Sequence, residues 1–243
     1  MEALARWNHP DFGWVPATEF IAIAEQMSLI GQVTDFVLAE ACAQAGQWRR
    51  SGLDVGLAVN LSGRELSDER LISLVAEHLQ ENELPPSLLT LELTETEVMA
   101  DLGEVSAVLT ELSHLGVRIA VDDYGTGYSS LAYLHRLPVS ELKIDRSFVT
   151  NIIDDPSNRI IVRSSIAMAH SLGLSVVAEG AEDESTCALL ADAGCDAVQG
   201  YFLSRPRSAA DLEEWLLNGA TLRFSNEVPD LRPFRVVPGR MPG

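Results

Sequence analysis

The chain is poor in cysteine and in positive charge. Its three cysteines, Cys42, Cys187 and Cys195, have no metal-site spacing, and their odd number gives no disulfide framework. A reducing cytoplasm is the compartment that follows. Lys and Arg total 17 against 36 Asp and Glu, a formal charge of −19. That balance argues against non-specific binding to DNA, RNA or an anionic membrane surface. A small anionic substrate remains compatible if metal ions neutralise its site locally. No apolar run approaches the ~20 residues that a membrane-spanning helix needs, and no signal peptide opens the sequence. None of the five histidines has ligand spacing. There is no Ser-His-Asp arrangement and no phosphate-cradling glycine loop followed by Lys.

What is present is a repeated punctuation. Apolar residues form 47% of the 243 positions, enough for a sizeable core, and several short apolar runs end on a polar residue. These are Glu2 in MEALARW, Asn60 in LAVNLS, Glu92 in LLTLELTE, Asp122 and Asp123 in RIAVDDYGTG, Lys143 in ELKIDR, Glu179 in VVAEG and Gln199 in AVQGY. Helix-length amphipathic stretches separate most of them. Strand, polar residue, loop and helix in repetition describe an α/β fold of the (β/α)8 barrel type, which gathers its site at the C-terminal ends of its strands. Five acids, two amides and a lysine on one rim would suit divalent metal and phosphate.

The spacing predicts strands at EALAR, VGLAVN, LLTLEL, RIAVDD, ELKID, SVVAE and AVQGY. Helices are expected over 30–50, 68–82, 102–115, 131–136, 156–172, 184–193 and 209–217, with Thr18 capping a helix through Phe20 and Ile23. NHPDFGWVPATEF is expected as loop, punctuated by Pro10, Gly13 and Pro16. Residues 1–220 read as one domain. Residues 221–243 hold four prolines and read as a poorly ordered tail, the alternative being an edge strand at FRVV. Adjacent strand residues face opposite ways, so Asp122 and Asp123 can serve one site only where the strand ends or is irregular; Gly125 and Gly127 are the expected source of that irregularity.

EALARWNHPDFGWVPATEFIAIAE, NLS, LELTE, DDYGTGYSSL, LKIDRSFV, AEGAE and QGYFLSRP, in this order, closely resemble the EAL-domain family of cyclic-di-GMP phosphodiesterases. The resemblance implies a TIM-like barrel of the EAL type, two Mg²⁺ or Mn²⁺ ions, and hydrolysis of cyclic di-GMP to the linear dinucleotide pGpG. It assigns Glu2, Asn60, Glu92 and Asp122 to one metal, and Asp122 with Asp123 to the second. Lys143 and Glu179 are implied to position and activate the attacking water, with Glu2 also in the catalytic set. Arg6 is implied to contact substrate phosphate. Gln199 falls at a rim position; Asp145, two residues past Lys143 on the same strand face, is a candidate substrate contact that could pair with Lys143 or touch the second metal's shell; and Pro206 falls in the guanine-contact segment. Glu95 is implied to anchor the DDYGTG loop, a region that also takes part in dimer contacts, and Glu182 is a further rim position near it. Sensory or GGDEF domains upstream are common among related proteins.

The departure from the family pattern is at the front. Members carry a helix and a strand before the EAL tripeptide, and here Met1 stands in their place. A missing first strand would leave a gap beside Glu2, and a terminal ammonium one residue from a metal ligand disfavours a bound dication. Two origins are open: a misassigned start or fragment of a longer protein, and a truncated product. Two functions follow: a metal-dependent phosphodiesterase, and a non-catalytic module that senses cyclic di-GMP or docks a partner.

Overall fold

Strands buried on both faces frame this protein, and their apolar runs explain why. The computed structural model describes residues 1–68, 70–100, 102–127, 134–217 and 235–237. Contacts divide the chain into two compact units. One consists of Glu2–Ile119 with Arg136–Pro138, the other of Met1, Ala120–His135 and Val139–Met241. The division passes through a strand, between Ile119 and Ala120, and not through a linker.

In the first unit, β1 (Glu2–Ala3) is shorter than the expected EALAR strand. The segment expected as loop contains an antiparallel hairpin, β2 (Trp7–His9) and β3 (Gly13–Val15), pairing Trp7 with Val15 and His9 with Gly13. Its short arms, broken by Pro10 and Gly13, hide the period-2 signal that marks longer strands. Helix α1 (Ala17–Gln26) starts one residue before Thr18, and Pro16 occupies the cap position. There the Pro16 carbonyl accepts from the Glu19 and Phe20 amides. Helix α2 (Ile30–Arg50) matches its expected span. Then come β4 (Leu57–Asn60), a 3₁₀ turn (Gly63–Ser67), α3 (Arg70–Glu81), β5 (Leu89–Thr94), α4 (Glu95–Ala100) and α5 (Leu102–His114). Strands β1, β4 and β5 are parallel neighbours. Leu89, Leu91 and Leu93 of β5 are 1% exposed or less, and each stabilises the fold by about 1.5–3 kcal/mol through burial.

The second unit takes β6 (Arg118–Tyr124) from Ala120 onward, then β7 (Glu141–Ile144), a helical turn α6 (Arg146–Val149), α7 (Pro156–Ser171), β8 (Ser175–Glu179), α8 (Glu184–Asp192), β9 (Ala197–Gln199) and α9 (Ala209–Leu217). Strands β6 to β9 are successive parallel neighbours, as expected for strands joined by helical crossovers. The expected 131–136 helix falls mostly outside the described residues. Of the segment from 221 on, the described part is β10 (Arg235–Val237), which pairs parallel with β9 and coincides with the alternative strand at FRVV. The three cysteines are buried; burial lifts Cys42 and Cys187 to about 11 and Cys195 to about 12, so they are poor nucleophiles. No helix among the described residues is long and apolar enough to cross a membrane.

A buried acid in the first unit gives a test of this packing. Glu65 is 5% exposed, and burial raises its pKa despite hydrogen bonds from Thr34 Oγ1 and the Ser62 amide to one carboxylate oxygen. A folded-state pKa above the unfolded value favours folding below the unfolded pKa, and that advantage is lost as pH rises through the folded one. Glu65→Gln keeps an acceptor for both donors and removes the buried charge. We expect its unfolding free energy relative to wild type to rise from pH 4 to pH 8, measured by urea titration.

Candidate metal centre

Alternation along three neighbouring strands of the second unit points a polar row to one side. Lys143 of β7 is in register with Val177 of β8, and Glu179 of β8 with Gln199 of β9, so Lys143, Glu179 and Gln199 share a face. Lys143 Nζ lies 2.7 Å from Glu179 Oε1 and 3.2 Å from Asp122 Oδ2. Exposure of these side chains is 1% for Lys143, 6% for Glu179 and 1% for Asp122. Buried charges of this kind persist only when paired.

Strand β6 brings a second carboxylate through an irregularity. Val121 pairs with Leu142 and Tyr124 with Ile144, so Asp122 and Asp123 together oppose Lys143 alone. This is a β-bulge, which re-aims side chains next to functional sites. Asp123 takes the left-handed conformation, φ +54°, tolerated by Asp more readily than by most residues. Its amide donates to Asp122 Oδ1 at 2.8 Å. The irregularity expected from Gly125 and Gly127 thus begins within the Asp pair itself. Gly125 follows at φ +101°, and a Cβ there would lie 2.7 Å from the Phe148 ring. As a result, one carboxylate oxygen each from Asp122, Asp123 and Glu179 lie within 4.8 Å of one another. Hard oxygen donors so grouped suit Mg²⁺ or Mn²⁺. Three carboxylates against one ammonium leave two formal negative charges, the complement of one divalent cation.

The first unit assembles its own polar set. Glu2 pairs with Ala58 and Asn60 with Glu92 across the parallel strands. Asn60 Nδ2 donates to Glu2 Oε1 at 2.7 Å, leaving the amide oxygen as an acceptor. Glu92 is 2% exposed, with its backbone carbonyl accepting from the Leu61 amide at 2.8 Å.

The remaining expected residues are placed as follows. Arg6 is exposed, and Nη1 donates to the Ala5 carbonyl. Asp145, considered as a partner for Lys143, caps α6 by accepting from the Ser147 amide at 2.9 Å; the strand ends there and its carboxylate turns to the next helix. Gln199 is 1% exposed, and its carbonyl accepts from the Ala181 amide. Pro206 is half-buried and Glu182 exposed. Glu95 is 2% exposed at the first residue of α4; the loop it was expected to anchor continues into 128–133, outside the described residues. Sequence reading missed Glu65 and Glu97, although each closes an S/T-x-x-E capping pattern, Ser62–Glu65 and Thr94–Glu97.

The EAL domain model matches residues 1–206 of the chain. The chain belongs to the EAL domain family. MucR of Pseudomonas aeruginosa, a bifunctional diguanylate cyclase/cyclic di-GMP phosphodiesterase, is 43% identical over 87% of this chain and 31% of its own length. The signaling protein YkoW of Bacillus subtilis is 42% identical over 89% of this chain and 27% of its own. The chain therefore spans about a third or less of these curated relatives. Among solved structures, the P. aeruginosa MucR phosphodiesterase in complex with c-di-GMP matches with a TM-score of 0.83 at 43% identity, covering 87% of this chain and 86% of that one. The Xanthomonas citri FimX EAL domain in complex with c-diGMP matches with a TM-score of 0.77 at 26% identity, covering 84% and 80%. The fold is thus the α/β, TIM-like EAL type expected from the sequence.

The Lys143 pairing sets a stability test. Lys143→Met leaves Asp122 and Glu179 buried without their cation, which costs about 3–5 kcal/mol. Urea unfolding in EDTA is expected to show that loss, and millimolar Mn²⁺ to recover more stability in the variant than in wild type.

Proposed function

We propose that this chain is a metal-dependent phosphodiesterase that hydrolyses cyclic di-GMP to pGpG. The observation that carries the reading is the Asp122–Asp123–Glu179 cluster, with Asp122 and Glu179 buried and paired with Lys143, in a member of the EAL domain family. The residues that would hold two Mg²⁺ or Mn²⁺ ions are Glu2, Asn60 and Glu92 of the first unit and Asp122 and Asp123 of the second. When bound, the ions supply Lewis acidity and a lowered pKa for the attacking water.

The chain's own residues have separable tasks. Glu179 orients the water and accepts its proton. Lys143 holds Glu179 and offsets the negative charge that the phosphodiester adds. Water oxygen bonds to phosphorus while the P–O3′ bond breaks. The proton ends on the ribose O3′, leaving a 5′-phosphate on the linear product. Arg6 supports a phosphate oxygen, Gln199 completes the substrate rim, and Pro206 borders a guanine. Glu95 and Glu182 support the loop that presents Asp123. The same reading places the protein in the cytoplasm, as a homodimer through the DDYGTG region, with sensory or GGDEF domains in the full-length protein.

Incubation with cyclic di-GMP and Mn²⁺, followed by chromatography of pGpG, tests the reading. We expect product formation that EDTA abolishes and Glu179→Gln lowers by about 10²–10⁴-fold, with Glu2→Ala also inactive. Undiminished turnover in either variant would overturn these roles. Saturable nucleotide binding by the folded chain without turnover would identify a sensor module instead.

A further inference from the structure

Two neighbouring strand ends of the first unit carry the same device. Asn60 of β4 is followed two residues later by Ser62 and then by Glu65; Glu92 of β5 is followed two residues later by Thr94 and then by Glu97. Each is a capping box opening the next helical segment. Glu65 accepts from the Ser62 amide at 3.1 Å. Glu97 Oε2 accepts from the Thr94 amide at 2.9 Å and from Thr94 Oγ1 at 2.7 Å, while the Glu97 amide donates back to Thr94 Oγ1 at 3.4 Å.

The second box reaches beyond its own helix. Glu97 Oε1 accepts from the Gly63 amide at 2.9 Å, in the turn that follows β4. One carboxylate therefore ties the end of β4 to the end of β5. The approach is close enough to exclude a side chain at 63: a Cβ there would lie 2.8 Å from Glu97 Cβ and 3.0 Å from its Cγ. Just before these ties stand the paired residues Asn60 and Glu92, with the Leu61 amide bonded to the Glu92 carbonyl.

We infer that Glu97 is a positioning residue for the metal centre: its carboxylate bridges Gly63 and Thr94 and so fixes Asn60 and Glu92 relative to one another. The inference rests on the proposed reading of Asn60 and Glu92 as metal donors. A residue that ties two donor-bearing strand ends acts as the hydrogen-bonded outer partners of metal ligands do, whose removal lowers metal affinity 10–100-fold. Glu97 itself touches neither metal nor substrate in this role.

The test is Mn²⁺ binding to the whole chain, by calorimetry and by the loss of the free-Mn²⁺ EPR signal, alongside thermal unfolding in EDTA. Glu97→Ala is expected to weaken binding about 10-fold or more. Glu97→Gln retains one good acceptor oxygen but turns an NH₂ toward the second donor, so it should weaken binding less, and it carries the test if the alanine variant does not fold. Gly63→Ala should weaken binding by forcing the two segments apart. Asp155→Ala removes a cap in the second unit, where Asp155 accepts from the Ser157 and Asn158 amides; it should lower Tm and leave Mn²⁺ affinity unchanged. Wild-type Mn²⁺ affinity in folded Glu97→Ala or Glu97→Gln, despite a lowered Tm, would overturn the inference and reduce Glu97 to a helix cap. Failure of wild type to bind Mn²⁺ is a different result: it would overturn the metal reading, and this inference with it.

Discussion

An ammonium held between two buried carboxylates organises the second unit. Lys143 sits at 1% exposure against Asp122 and Glu179, and ions removed from water in this way carry a penalty of several kcal/mol each unless their partners are in place. The three residues come from β6, β7 and β8, so their pairing requires the register of all three strands. A slip of one residue in β7 would turn Lys143 to the opposite face and leave both carboxylates without it. The apolar neighbours Leu142 and Ile144, buried on the other side, hold that register from the packing side.

The same interaction leaves an electrostatic remainder. Asp123 adds a third carboxylate to the group. It reaches the group because β6 bulges and Asp123 adopts a left-handed backbone. Backbone in a sparsely populated region costs about 1–3 kcal/mol, and such conformations persist where surrounding structure enforces them. Here the enforcement includes the Asp123 amide bonded to its neighbour's carboxylate and Gly125 packed on Phe148. A cluster that concentrates negative charge and backbone strain together has a donor set that could hold a cation.

The first unit solves a different problem, fixing residues near strand ends that would otherwise fray. Asn60 terminates β4 and Glu92 lies two residues before the end of β5. Capping boxes just beyond them satisfy the first free amides of the following helical turns. The coupling through Glu97 and Gly63 makes the two ends one hydrogen-bonded piece. Positioning by backbone amides is rigid, because the donor cannot rotate away as a side chain can.

Composition, apolar periodicity and the order of polar punctuation determined the α/β class, most strands and helices, and the identity of the polar residues at the strand ends. These are local signals: Glu92 and Glu179 close apolar runs, and α2 keeps its period from Ile30 to Arg50 without interruption. The EAL motifs, each a short contiguous string, were equally legible. The β2–β3 hairpin was not, since its arms are too short to show alternation. Nor was the source of the Asp122–Asp123 irregularity, because a bulge is defined against a partner strand. Asp145 looked free to meet Lys143 until the helix that it caps was placed. Which cation neutralises which acid, and which capping glutamate reaches a neighbouring strand, depended on tertiary structure alone, because both are set by register between segments distant in sequence.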